Sequence, residues 1–167
     1  VFSREMETPI ATIFINKFGD VTYNLKNELT YSIAGQVLDI MMTEEIREKE
    51  GGTYGVSISA DINTLPKTSG SMEVFYQTDP DKYEYLNQRI EEIIAGFAKS
   101  GPSAENMAKV KDYMIKKHQE NLRENSYFAA ALKTILLHNQ DMLKEKEKIL
   151  ESITAEDIRL AIDNLLK

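Results

Sequence analysis

The sequence predicts an α+β domain, with an antiparallel-rich sheet and helices packed on one face of that sheet. Short alternating or β-branched runs lie in the first half of the chain, whereas helical periodicity fills the second half. The predicted order is strand, helix, strand, strand, helix, and then helices only. A doubly wound parallel sheet would instead alternate strands with helices along the whole chain.

The first strand is predicted from Pro9 to Ile15, where the run is apolar and β-branched. A long helix follows, with Asn27 as its predicted cap and Gly51-Gly52 as its stop. Its apolar residues recur with the helical period: Leu29, Ile33, Val37, Ile40, Met41 and Ile46. These features predict one helix that leads directly into the next strand.

Two further strands are predicted at residues 53–62 and 72–77, where side chains alternate in character, with a turn between them. This pattern indicates a hairpin. Asp79-Pro80-Asp81 then predicts the start of a helix that ends at Gly101-Pro102.

The remaining chain is predicted to be helical. Ser103 and Thr154 are candidate helix caps, and Asp157 stands at the capping-box position after Thr154. A break is expected at Asn125-Ser126, and the charged segment 141–148 is expected to be a solvated helix or a loop. No internal repeat or linker interrupts residues 1–167, which therefore indicate a single domain.

Composition excludes several functions. The chain has 167 residues and a formal net charge of −7, so it is expected to repel the phosphates of nucleic acids. Its apolar runs are far shorter than the roughly 20 residues that span a bilayer, so no membrane insertion is expected. It contains no cysteine, which excludes disulfides and thiolate nucleophiles.

No metal or cofactor site is predicted. The two histidines, His118 and His138, lie twenty positions apart, and neither belongs to a zinc-binding motif. Each is interpreted as a partly exposed polar residue on an amphipathic helix. No phosphate-binding loop, dinucleotide fingerprint or serine-nucleophile motif is present.

One segment differs from ordinary helix-to-strand connections. Arg47 is followed seven positions later by Tyr54, within Ile46-Arg-Glu-Lys-Glu-Gly-Gly-Thr-Tyr54. A structural interpretation is available, in which Arg47 complements the negative end of the helix dipole and Tyr54 packs in the core. The alternative is that the segment presents a guanidinium and a phenol to a ligand.

This segment resembles a sequence of the pitrilysin/insulinase family of zinc metallopeptidases, whose C-terminal half carries an arginine and, seven positions later, a tyrosine. The surrounding features also resemble that family: the preceding strand and helix, the following hairpin, Asn125-Ser126-Tyr127, and residues 153–158. The resemblance covers essentially the whole chain. It implies the C-terminal, substrate-contacting domain of a bacterial zinc protease, excised from a larger peptidase.

The resemblance also implies a divided mechanism. An N-terminal half, absent from this chain, would bind zinc and activate water, while this domain closes over the peptide substrate. Tyr54 would donate its hydroxyl to the developing oxyanion, and Arg47 would hold a substrate carbonyl. The expected partners are a peptide and the N-terminal half or a paired subunit. The isolated chain is expected to be inactive.

An alternative stays open, because the same family includes noncatalytic partners and scaffold subunits. Val1 is not an initiator residue, which favours an internal excerpt. The family suggests a bacterial periplasmic location, although the residues themselves do not specify one.

Overall fold

The computed structural model describes residues 9–49 and 53–167, except for the side chain of Tyr54. Along the described residues the order is strand, helix, strand, strand and then five helices, which confirms the predicted α+β fold. The strands are β1 (Ala11–Gly19), β2 (Thr53–Asn63) and β3 (Ser69–Thr78). The helices are α1 (Leu25–Met42), α2 (Tyr83–Ser100), α3 (Ala104–Asn121), α4 (Asn125–His138), α5 (Met142–Ser152) and α6 (Ala155–Leu165). A π-helical segment, Thr43–Lys49, continues from α1.

The sheet has the order β1-β3-β2, and both pairings are antiparallel. The hairpin predicted from the alternating residues is therefore formed by β2 and β3. Among the described residues, β1 and β2 each pair with β3 alone, so each leaves an outer edge without a strand partner.

One face of the sheet is covered by helices and the other face is exposed. Met72, Val74 and Tyr76 of the central strand are completely buried. On the opposite face, Phe14 and Phe18 are 68% and 64% exposed. The alternation of strand side chains produces this division, since successive residues point to opposite faces.

The hydrophobic core lies between the covered face and the helices α1, α2 and α6. Leu38, Ile90 and Ile162 represent the three helices in this core, and each is completely buried. Removing such a side chain from water contributes about 1.5–3 kcal/mol. The core therefore holds α1 firmly against the sheet.

Two helix starts differ from those predicted. The α1 helix is capped by Asn24, whose side chain accepts a hydrogen bond from the backbone N–H of Asn27, so the assignment of the cap to Asn27 is wrong. The α2 helix begins at Tyr83, because β3 runs to Thr78 and residues 79–82 form the turn out of the sheet.

The later caps are as predicted. The Ser103 side chain accepts from the Asn106 N–H, and Thr154 and Asp157 form a reciprocal capping box. The charged segment is helical and forms much of α5. Within the described ranges, no helix is both long and apolar enough to cross a membrane.

Candidate functional site

Arg47 lies in the π-helical segment that follows α1. Ile46, next to it in sequence, is completely buried, whereas the side chain of Arg47 is exposed. Within residues 9–49 and 53–167, no hydrogen bond or ion pair engages the Arg47 guanidinium. Arg47 is therefore a surface cation whose backbone is anchored by a buried neighbour.

The backbone of Tyr54 lies at an irregularity in β2. Thr53 pairs with Thr78 and Gly55 pairs with Gln77, so Tyr54 is an extra residue between two consecutive pairs. This is the arrangement of a β-bulge, which bends a strand and redirects a side chain. Bulges are common beside active sites.

The hydroxyl of Thr53 connects the two sides of this bulge. It accepts a hydrogen bond of 3.0 Å from the Gly55 N–H. It also lies 2.8 Å from the carbonyl oxygens of both Gly55 and Gln77, and its single proton can be donated to either. Sequence reasoning missed Thr53, although a hydroxyl residue two positions before a glycine was a usable signal.

Two contacts fix α1 against β2. A Cβ atom at Gly35 would lie only 2.5 Å from the backbone nitrogen of Ala60, so helix and strand approach closely there. Asp39 Oδ1 accepts a hydrogen bond of 3.0 Å from the Ile58 N–H. Asp39 thereby occupies a backbone donor that β3 does not use.

The two predicted site residues thus lie on consecutive elements, Arg47 near the end of the π-helical segment and Tyr54 near the start of β2. The predicted helix stop at Gly51-Gly52 lies outside the described residues. The π-helical segment continues from α1 and leads to β2, and α1 and β2 are closely packed against each other.

A second candidate surface is the face of the three-stranded sheet that the helices leave exposed. Phe14 and Phe75 are cross-strand neighbours with ring centroids 4.9 Å apart, and Phe18 is on the same face. Glu73 and Asp61 add exposed carboxylates to this face. The face combines aromatic rings with polar groups, as peptide-binding surfaces commonly do.

His118 has a structural environment that differs from the predicted one. Its side chain is only 2% exposed, and its Nδ1 atom lies 2.7 Å from the Tyr127 hydroxyl, so the prediction of a partly exposed residue is wrong. Burial, followed by the nearby charge of Lys146, lowers the pKa of His118. His138 instead packs against the ring of Tyr23, with centroids 3.9 Å apart.

These histidines do not form a metal site. In the part of the chain that the structure describes, no group of three or more His, Asp or Glu side chains could hold a metal ion. The described residues therefore do not fit a zinc centre.

Comparisons with known proteins give a family and a fold. The family model described as "Peptidase M16 inactive domain" matches residues 1–114. The search of curated proteins finds no match. Several solved structures share the fold.

The periplasmic protease PqqL from Escherichia coli superimposes with a TM-score of 0.83 at 18% identity, over 96% of this chain and 18% of that chain. A peptidase M16 inactive domain from Pseudomonas fluorescens gives 0.77 at 19% identity, over 97% of this chain and 39% of that chain. The ferredoxin protease FusC, solved as a mutant in complex with Arabidopsis ferredoxin, gives 0.78 at 17% identity, over 94% of this chain and 18% of that chain. At these identities the likeness establishes the fold alone.

Proposed function

The chain belongs to the family of peptidase M16 inactive domains, and from that premise we propose that it is the substrate-contacting C-terminal domain of a zinc metalloendopeptidase. In this proposal residues 1–167 form one domain that clamps a peptide and supplies Arg47 and Tyr54 to an active site. The site is completed by an N-terminal half or a paired subunit.

One observation carries the proposal: an exposed arginine lies near the end of the π-helical segment, and a bulged tyrosine backbone lies near the start of the next element, β2. Within the described ranges the Arg47 guanidinium has no ion pair, so its donors are free for a substrate carbonyl. The bulge gives Tyr54 a position outside the regular ladder.

The proposed chemistry of these residues is hydrogen-bond donation. The Tyr54 hydroxyl would donate to the oxyanion that forms as the scissile carbonyl becomes tetrahedral, and Arg47 would hold a backbone carbonyl of the peptide. Donors of this kind act best when they are held in place before the reaction. Removal of one typically costs about 2.7–4 kcal/mol of barrier, or ~10²–10³ in rate.

The exposed sheet face supports the clamping part of the proposal. Phe14 and Phe18 present large apolar surfaces on a face that no described helix covers. Exposed aromatic groups are effective anchors for peptide side chains. A substrate peptide could therefore contact this face while its scissile bond lies near the junction.

Zinc would be bound elsewhere. The described residues do not provide a ligand cluster, so this chain is proposed to contribute no metal ligand. When bound by another domain, zinc supplies an activated water for hydrolysis. The chain alone is accordingly expected to cleave no peptide.

The test uses the full-length protein. Tyr54→Phe should lower kcat by ~10²–10³ with little change in the free energy of unfolding, because it removes only a hydroxyl. Arg47→Ala should mainly raise KM if the Arg47 side chain binds the peptide backbone. Tyr113→Phe and Arg123→Ala are matched controls at exposed positions.

A second candidate is a noncatalytic partner or scaffold subunit. The family description as an inactive domain is compatible with this candidate as well. In that case Tyr54→Phe would leave turnover equal to wild type, and the catalytic assignment would be withdrawn.

A further inference from the structure

The charged side chains of the three strands are divided between the two faces of the sheet. The strands carry two carboxylates, Asp61 and Glu73, and one cation, Lys17. Both carboxylates are exposed on the face that the helices leave open. Lys17 belongs to the covered face, where its Nζ atom lies 2.8 Å from Glu91 Oε1 of α2. The three strands therefore give the exposed face negative charge and no positive charge.

Glu73 lies near the centre of the exposed face, on the middle strand. Asn16 of β1 is directly opposite Glu73, so Phe14 and Phe18 are its diagonal neighbours across the strand pair, at roughly 7–8 Å. Asp61 is the corresponding diagonal neighbour on β2. Long and aromatic side chains can contact one another across such diagonals. We name Phe14, Phe18, Asp61 and Glu73 the Glu73 patch.

The carboxylates of the Glu73 patch have no counter-charge. Neither Asp61 nor Glu73 forms a side-chain hydrogen bond or an ion pair with any residue that the structure describes. The two phenylalanine rings are 68% and 64% exposed, and the Phe14 ring contacts that of Phe75 with centroids 4.9 Å apart. The patch thus combines two uncompensated negative charges with exposed aromatic surface.

An arginine or lysine side chain matches this combination of groups. Its methylene stem can lie along the phenylalanine rings while its charged end reaches beyond them. The cation can then donate hydrogen bonds to a carboxylate and is attracted by the face of a nearby ring. A neutral apolar side chain would use only the rings, and an acidic side chain would be repelled by the carboxylates.

We propose that the Glu73 patch binds a basic side chain of the substrate, so that the preferred substrates are peptides that combine arginine or lysine with apolar residues. This inference rests on the proposed function, in which the exposed sheet face contacts the peptide. It adds the chemical class of the substrate and names Glu73 as the residue that determines specificity.

The distance between the patch and the bulge of β2 suits a single extended peptide. Gly55, next to the bulge, pairs with Gln77, which is four residues along β3 from Glu73. At roughly 3.4 Å per residue, this separation is roughly 14 Å. An extended peptide covers that distance with about four residues. One short peptide can therefore contact both the junction and the Glu73 patch.

Two matched peptides test this assignment in the full-length protein. One is a fluorescently labelled peptide of leucine, serine and glycine residues with a central arginine. In the other, citrulline replaces the arginine, because citrulline has nearly the same shape and no charge. Fluorescence anisotropy, with a chelator present to prevent cleavage, measures the Kd of each peptide. The wild type should bind the arginine peptide about three- to tenfold more tightly, as expected for an ion pair and a cation–π contact at an exposed site.

Two glutamate variants separate the patch from the general charge of the protein. Glu73→Gln should remove most of the preference for arginine. Glu145→Gln removes the same charge from an exposed position on α5 and should preserve the preference. Glu73→Lys should instead favour a peptide with glutamate in place of the arginine, and a misfolded protein would not gain such a preference.

Three results would overturn the proposal: failure of both peptides to bind, equal binding of the two peptides by the wild type, or equal loss of preference in Glu73→Gln and Glu145→Gln. These results are distinct from the test of the catalytic role. If one of them is found while Arg47→Ala and Tyr54→Phe still impair peptide cleavage, the specificity inference fails and the proposed function stands. If Glu73 determines the preference while both of those variants cleave normally, the catalytic assignment fails and the specificity inference stands.

Discussion

Thr53→Val is the substitution that most directly tests how the bulge positions Tyr54. It replaces a hydroxyl by a methyl group of similar shape and keeps the β-branched character that suits a strand. The Gly55 N–H then loses its acceptor, and the carbonyls of Gly55 and Gln77 lose their shared donor. We expect the bulge to loosen while the hairpin remains formed.

The size of the effect follows from the number of hydrogen bonds. The hydroxyl accepts one bond and can donate one at a time. At about 0.5–1.5 kcal/mol each, loss of both lowers local stability by about 1–3 kcal/mol. This corresponds to an increase of ~5- to 150-fold in the opening equilibrium of the bulge.

Native-state hydrogen exchange at the Gly55 amide measures this opening directly. Thr53→Ser keeps the hydroxyl and should exchange nearly as slowly as wild type. Unchanged exchange in Thr53→Val would show that the hydroxyl does not hold the bulge.

The functional consequence requires a double-mutant cycle in the full-length enzyme. If Thr53 acts by positioning the Tyr54 hydroxyl, Thr53→Val should lower kcat in the wild-type background and have little further effect in Tyr54→Phe. Additive losses would refute the positioning role.

Three further predictions concern stability. Gly35→Ala should lower the free energy of unfolding in urea by about 1–3 kcal/mol, because the added Cβ would clash with the backbone of Ala60. Gly96→Ala should raise the free energy of unfolding by about 0.5–1 kcal/mol, because a Cβ at Gly96 would contact no other group. Burial lowers the pKa of His118 below its ordinary value of 6.5 in the folded protein. As the pH falls, His118 is therefore protonated in the unfolded chain before it is protonated in the folded protein. The contribution of His118 to the free energy of unfolding should be complete above about pH 6.5 and should decline below it. His118→Gln should therefore weaken the dependence of the free energy of unfolding on pH below about pH 6.5. Thr154→Ala should cost about 1 kcal/mol through loss of the capping box, and Thr154→Ser much less.

Features determined by local sequence were predicted well. The hairpin follows from alternation in two adjacent runs, and the caps at Ser103 and Thr154 follow from side chains that reach backbone groups three residues away. The α1 cap was misassigned because Asn24 and Asn27 are both competent caps. Their spacing lets Asn24 accept from the Asn27 N–H, and only the actual start of the helix decides between them.

Features determined by tertiary contact could not be predicted. The burial of His118 depends on Tyr127, which a later helix brings within 2.7 Å. The bulge at Tyr54 depends on the register of β2 against β3, and the sequence of β2 alone does not contain that register. The role of Arg47 and Tyr54 in catalysis remains a prediction.

The contacts that hold the junction are separate from the contacts that hold α4. Arg47 and Tyr54 are carried by α1 with its π-helical extension and by β2, which are joined at Gly35 and Asp39. The α4 helix is instead connected to α3 and α5 by Tyr127, whose hydroxyl lies 2.7 Å from His118 Nδ1 and 3.3 Å from Lys146 Nζ. Since the two sets of contacts share no residue, Tyr127→Phe should loosen α4 without disturbing the junction. Hydrogen exchange of the α4 amides should therefore become faster in Tyr127→Phe while exchange of the Gly55 amide stays equal to wild type, and faster Gly55 exchange would show that the two regions are coupled.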